Sequence, residues 1–363
     1  MKAWRLERLG GDLSLQDIPV PELRPGSVLI RMHAAALVSY LRNYVQGKLP
    51  GYAAPEKPFT IGTNGVGEIA AVGRDVWHLK PGQRVVLSPH LVSRENVADP
   101  AQILIALTSI GPTADPMLAD WPDGTLAEYA LLPAAAVTPV DGLDHIPATQ
   151  LAVLMRCIVP FGGLLRGRLA VGETLVVTGA TGAFGTAAVL LGVALGASRV
   201  VAAGRRPDAL VAVARAGGPR VTTVVLKGDV QEDARALRDA AGGSAHLSFD
   251  MVGQARDPNA TLAALHSLGR GGRLVLMGSM STDLPIPYTQ LMLNNWEILG
   301  QFMYPADAYR RLLDLVRGGL LNLSVLRPLE YALADLPAAM DAAATAGNFE
   351  CAVVRFQNAI SSP

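Results

Sequence analysis

Cysteine is nearly absent from this chain. The two present in 363 residues, Cys157 and Cys351, stand far apart with no CxxC partner. That excludes a disulfide framework and a cysteine-rich structural zinc site. Net charge is absent too, because 31 basic and 31 acidic residues cancel. A nucleic-acid binder carries a basic excess or stripe, so no nucleic-acid partner is expected. The N-terminal MKAWRLERLGGD has charges but no apolar stretch after it, so no secretory signal is expected. No apolar run reaches the roughly 18 residues a bilayer span needs, and the longest, around AAVLLGVALGA, has ordinary helix length. A cytoplasmic chain without a membrane partner is the expectation.

What is present is length, glycine and alternation. A chain of 363 residues exceeds one typical core, so two domains are expected. In the first third, SVLIRMHAAAL, GVGEIAAVG, QRVVLSP and LAEYALLP read as short strands between Pro-Gly turns, the profile of a compact β-barrel. Between His90 and Trp121 no clean period appears, which suits a lobe or lid. After PVDGLDHIPATQ the pattern changes. TLVVT, SRVVAAG, VTTVVLKG, HLSFDMVG and GRLVLMGS alternate with helix-like segments, and NNWEILGQFM reads as one more strand. Strand and helix at this rhythm predict a doubly wound parallel sheet.

Two glycine runs compete for a phosphate. IGTNGVG (61–67) lies between β segments, where its glycines serve a barrel bend. TGATGAFG (178–185) follows a strand and opens a helix. There Gly179 allows the turn, Gly182 lets backbone approach a pyrophosphate, and Gly185 lets the helix pack on the sheet. Thr178, Ala183 and Phe184 complete that cradle. The next strand ends in Gly204, Arg205 and Arg206 where an NAD site usually has an acid. Small glycine makes room for a 2′-phosphate and guanidinium groups can clasp it, so NADPH (NADP+) is the expected cofactor.

GEIAAVG, LKPGQRVV, DGTLAEYALLP, TGATGAFG, FDMVG and GRLVLMG together give the chain a resemblance to the medium-chain dehydrogenase/reductase superfamily. The resemblance implies an α/β architecture: a GroES-like β-barrel catalytic domain over 1–148, a Rossmann NADP(H)-binding domain over 149–303, and a return to the catalytic domain over 304–363. In that family nicotinamide enters the cleft between the domains. By the same layout Val252, Gly253, Gly278, Ser279, Met280, Phe302 and Met303 join the cofactor site. The resemblance also implies a homodimer, paired through the apolar edge strand near 295–303.

Zinc enzymes of the superfamily hold the metal with a cysteine, a Gly-His-Glu segment and a later cysteine or acid. Those positions fall here on Val38, on Gly62-Thr63-Asn64 and on Cys157, and the four structural-zinc cysteines are missing. No zinc is therefore expected. The chain is similar to the zinc-independent branch, which looks like quinone oxidoreductases and enone reductases that add hydride to an activated C=C of a hydrophobic small molecule. Tyr40, Asn64 and His90 are the candidate catalytic groups, as hydrogen-bond donors or proton sources. A carbonyl reductase or alcohol dehydrogenase without metal, and a non-catalytic NADPH-binding protein, are the alternatives.

Overall fold

A computed structural model describes residues 1–357, which divide into two compact units. The first comprises Met1–Met155, Leu326–Ala346 and residues 350–357; the second comprises Arg156–Val325 and Gly347–Phe349. The break thus falls at 155/156 rather than 148/149, and the return begins at Leu326 rather than 304. Helix Ala308–Arg317 stays with the second unit, where Tyr309 meets Tyr304 edge-on at 5.8 Å and Arg311 lies over the Phe161 ring.

The first unit is built around the ten-residue strand Ser27–Ala36, most of whose residues are buried and none exposed. It pairs antiparallel with Gly65–Val72, Tyr129–Pro133 and Glu350–Arg355, within a seven-stranded sheet. Strands Lys2–Leu6, Leu13–Asp17 and Phe59–Thr60 form a second sheet. The stretch without a clean period holds a small sheet of His90–Val92, Gln102–Leu104 and Thr108–Ser109, followed by the helix Asp115–Asp120. Strands of two or three residues are too short to show a period of two.

The glycines of IGTNGVG let backbones meet. A Cβ on Gly67 would lie 2.5 Å from the Arg31 carbonyl oxygen and 2.4 Å from Ile30 Cγ2. One on Gly62, whose φ is +112°, would lie 2.7 Å from the Leu126 nitrogen. The run therefore serves the barrel.

The second unit holds six parallel strands: β1 (Thr174–Thr178), β2 (Arg199–Gly204), β3 (Val221–Val225), β4 (Ala245–Asp250), β5 (Leu268–Leu276) and β6 (Glu297–Gly300). They lie in the order β3-β2-β1-β4-β5-β6, so the chain reverses direction across the sheet between β1 and β4. Every residue of β1 is buried, which explains its unbroken apolar character. Helices α1 (Ala183–Ala194), α2 (Pro207–Gly217), α3 (Val230–Ala241) and α4 (Asn259–His266) link the first five strands. Asp229 caps α3 by accepting hydrogen bonds from the Gln231 and Glu232 amides, worth about 1 kcal/mol. Helix α5 (Tyr288–Asn294) buries none of its residues and precedes the edge strand β6, leaving Tyr288, Met292 and Leu293 exposed.

The helical segment Ala148–Arg166 is long and apolar enough to cross a membrane by length and composition, and 78% of its 18-residue apolar window is buried inside the protein. Its apolar length supplies core.

Replacing Gly67 by Ala is expected to lower stability by about 1–3 kcal/mol, because the Arg31 carbonyl cannot move out of its ladder. Gly300→Ala, where nothing lies within 4 Å, is expected to leave the melting temperature unchanged. Thermal denaturation of the two variants checks the contrast.

Candidate functional site

The carboxyl ends of β1, β2 and β4 open into a cavity of about 840 Å3. Each glycine of the 179–185 run has a distinct physical task there. Gly179 has φ +68° and would bring a Cβ to 2.7 Å from the Met251 carbonyl oxygen. Gly182 is the N-cap of α1 and lines the cavity, so the first-turn amides of the helix are presented without a side chain in the way. A Cβ on Gly185 would fall 2.1 Å from the Gly179 carbonyl oxygen; only hydrogen fits where α1 crosses the turn. A mirror-conformation turn, a bare N-cap and a tight helix contact together leave the first-turn amides of α1 open to the cavity, a geometry suited to an anion.

Gly204, Arg205 and Arg206 line the same cavity, while Asp208 does not. Arg206 is held in place, its Nη2 donating to the Thr181 carbonyl oxygen at 2.6 Å. Val252 and Gly253 line the wall. Gly278, Ser279 and Met280 do not line it; Ser279 bridges Gly253, and a Cβ on Gly278 would meet the Val252 oxygen at 2.3 Å. Thr178 is fully buried, with its hydroxyl donating to Asp250 Oδ1 at 2.8 Å. Ala183 and Phe184 form the first turn of α1 and do not line the cavity. Phe302 is largely exposed and Met303 adopts φ +54°, both just beyond β6.

Lys227, Gln254, Arg256 and Asn259 also line the cavity. Sequence reading passed over these four. Their signal was position alone, in the loops after β3 and β4 at the carboxyl edge where ligands of open α/β sheets bind. Asp233 holds the first of these loops, its Oδ1 accepting from Lys227 N at 2.8 Å and its Oδ2 from Gly228 N at 2.9 Å.

In the first unit the candidate catalytic residues keep different company. Tyr40 is the N-cap of the short helix Leu41–Val45, and its phenol shares a hydrogen bond with Tyr52. The two rings lie 6.2 Å apart, and Tyr52 packs edge-on against Tyr44 at 5.9 Å. Burial first, and Tyr52 second, hold the Tyr40 phenol well above the usual tyrosine range, so it stays protonated. Tyr44 is pushed the same way by burial, and its hydroxyl donates to the Leu107 carbonyl oxygen at 2.9 Å. Asn64 is buried, its Nδ2 donating to Thr63 Oγ1 at 2.8 Å while its Oδ1 is buried without a hydrogen-bond partner. His90 begins the strand His90–Val92, with Nε2 3.1 Å from Gln102 Oε1.

Val38 and Cys157 are both buried. Among the described residues, no group of three or more His, Cys, Asp or Glu side chains could hold a metal ion. Val38 has no donor atom, and threonine and asparagine replace an imidazole and a carboxylate. These residues do not fit a zinc ion.

Residues 24–142 match the model of the alcohol dehydrogenase GroES-like domain, and residues 183–318 match that of the zinc-binding dehydrogenase. The sorbitol dehydrogenase of Bacillus subtilis is 26% identical over 343 residues, covering 92% of this chain and 90% of the relative. The L-threonine 3-dehydrogenase of Streptomyces avermitilis is 29% identical over 363 residues, covering 95% and 96%. The thermostable alcohol dehydrogenase of Pyrobaculum aerophilum, solved with cobalt and zinc bound, superposes with a TM-score of 0.73 at 20% identity over 98% and 99% of the two chains.

These relatives overturn the expected cofactor set of NADPH without zinc. The matching model is that of a zinc-binding dehydrogenase, and the Pyrobaculum enzyme carries metal. Zinc belongs to the relatives, although Val38, Thr63 and Asn64 do not fit it. The relatives also give no support to the quinone-oxidoreductase branch. Dehydrogenase models that match two separate stretches of the chain, and relatives named as dehydrogenases over nine-tenths of its length, support an oxidoreductase similar to the medium-chain dehydrogenase/reductase superfamily.

Proposed function

We propose that the chain interconverts an alcohol and its carbonyl compound with a nicotinamide dinucleotide. The observation that carries this reading is the cavity at the carboxyl ends of β1, β2 and β4, with its bare helix N-terminus and its arginines. The relatives named for sorbitol and threonine oxidation favour an alcohol–carbonyl pair over an activated C=C. When bound, the dinucleotide supplies or takes up a hydride.

Tyr40 is the proposed proton donor. Hydride addition to a carbonyl carbon leaves charge on oxygen, and a phenol kept protonated by burial can hand it a proton. An alkoxide is far more basic than a phenolate, so the transfer is favourable even from a phenol whose proton is held tightly. Tyr52, hydrogen-bonded behind Tyr40, orients the hydroxyl. Gly204, Arg205 and Arg206 on the wall, with Asp208 off it, favour a dinucleotide bearing a 2′-phosphate.

Tyr40→Phe is expected to lower kcat for carbonyl reduction about 100-fold or more, leaving dinucleotide affinity unchanged. A raised phenol value keeps the acid protonated at higher pH, so no alkaline loss of reduction rate from Tyr40 is expected up to about pH 10. Steady-state pH profiles of both forms check this; an unaltered kcat in the variant removes Tyr40 from the mechanism. Arg205→Ala is expected to weaken NADP(H) about tenfold and leave NAD(H) within about twofold, since one charge-assisted contact is lost. Calorimetric titration with both dinucleotides decides it, and equal weakening of the two rejects the 2′-phosphate contact.

A further inference from the structure

Asp250 ends β4 with only 2% of its surface exposed. Its Oδ1 accepts from Thr178 Oγ1 at 2.8 Å and from the Val252 amide at 3.1 Å, and its Oδ2 accepts from Thr261 Oγ1 at 3.0 Å. Its carbonyl oxygen accepts from the Met277 amide at 3.2 Å and the Gly278 amide at 2.9 Å. One residue thus fastens the end of β1, the turn after β4, the first turn of α4 and the start of the loop after β5. The same loops are also tied to one another, by Met251 N to Thr178 O at 3.2 Å and Gln254 N to Ser279 O at 2.9 Å.

Two of these loops form the cavity wall. Gly179, Thr181 and Gly182 come from the first, and Met251, Val252 and Gly253 from the second. Asp250 itself does not line the cavity, so whatever it does to a ligand it does through the residues it holds.

A carboxylate is an expensive way to tie loops together. Burial raises its proton affinity, while the hydrogen bonds from Thr178, Val252 and Thr261 only partly oppose that rise. A group whose folded value lies above its unfolded one favours folding most when protonated. Its contribution therefore falls as pH rises from the ordinary carboxylate range through the folded value, and above that window the charge works against stability. A residue kept there against stability, at the joint of a binding wall, points to the wall.

We infer that Asp250 is the positioning residue of the dinucleotide site, locking the turn after β1 and the turn after β4 into the geometry that receives the cofactor. This rests on the reading of the cavity as the dinucleotide site. Asparagine can keep the arrangement. Its Oδ1 accepts from Thr178 and Val252, and its Nδ2 donates to a reoriented Thr261 hydroxyl. Alanine cannot.

The test compares dinucleotide Kd by calorimetry, melting temperature and kcat at saturating dinucleotide, in the full chain. Asp250→Ala is expected to raise Kd about tenfold or more with a smaller effect on kcat. Asp250→Asn is expected to keep Kd within about threefold and to melt no lower than the unaltered chain at pH 8. Ser248→Ala serves as the control for a purely structural loss. That hydroxyl, on the same strand, donates to the Ala264 carbonyl oxygen at 2.9 Å, so melting should fall while Kd stays unchanged. Should Asp250→Ala fail to fold, Thr261→Val carries the test, with Kd expected to rise severalfold. An unchanged Kd in Asp250→Ala, or in Thr261→Val where that variant stands in, overturns the inference. So does an equal loss of affinity in Ser248→Ala. No dinucleotide binding by the unaltered chain overturns the reading of the cavity, and the inference with it.

Discussion

At the carboxyl ends of β1, β4 and β5, backbone meets backbone at distances no side chain would permit. A Cβ would lie 2.1 Å from a carbonyl oxygen at Gly185, 2.7 Å at Gly179 and 2.3 Å at Gly278. That close approach brings the N-terminus of α1 down to the turn after β1. It sets Ser279 beside Gly253 and leaves the bare cavity wall between. The buried Asp250 carboxylate is the polar joint of the same arrangement. Gly179 belongs to this contact and lines the candidate cofactor site, which Arg205 and Arg206 line from the end of β2.

Much of this was legible because fully buried parallel strands must be apolar throughout. TLVVT, SRVVAAG and GRLVLMG announced β1, β2 and β5, and the glycines between β1 and α1 announced the cradle. What stayed hidden is what depends on contacts distant in sequence. Thr178 and Asp250 are 72 residues apart, and Asp233 acts on a loop whose function lies in a cavity, so neither carries a local signal. Thr178 reads as part of the cradle by position, yet its hydroxyl is committed to Asp250. Lys227 and Arg256 look like ordinary surface cations until the sheet brings their loops to one edge.

The first unit shows where a resemblance informs and where it misleads. The glycines of IGTNGVG are explained by the crowding of Gly62 and Gly67 against neighbouring backbone, a requirement of the barrel whatever its chemistry. Val38, Thr63 and Asn64 led to an expectation about metal that the relatives overturn, and to a branch that they do not support. A donor set that does not fit zinc describes these side chains and does not assign the reaction. The aromatic group is the more informative feature here. Tyr52 was not singled out by sequence, yet it hydrogen-bonds the one phenol proposed to donate a proton. The loop that carries it has no periodic pattern that could have shown this.

The account stands on alcohol–carbonyl chemistry driven by a nicotinamide dinucleotide. Its most direct test follows oxidation of the reduced dinucleotide by the purified chain when a saturated ketone, or the enone of the same carbon skeleton, is added. The account predicts that the ketone consumes the reduced dinucleotide and that the alcohol accumulates. Consumption with the enone alone, giving the saturated ketone as product, would contradict it.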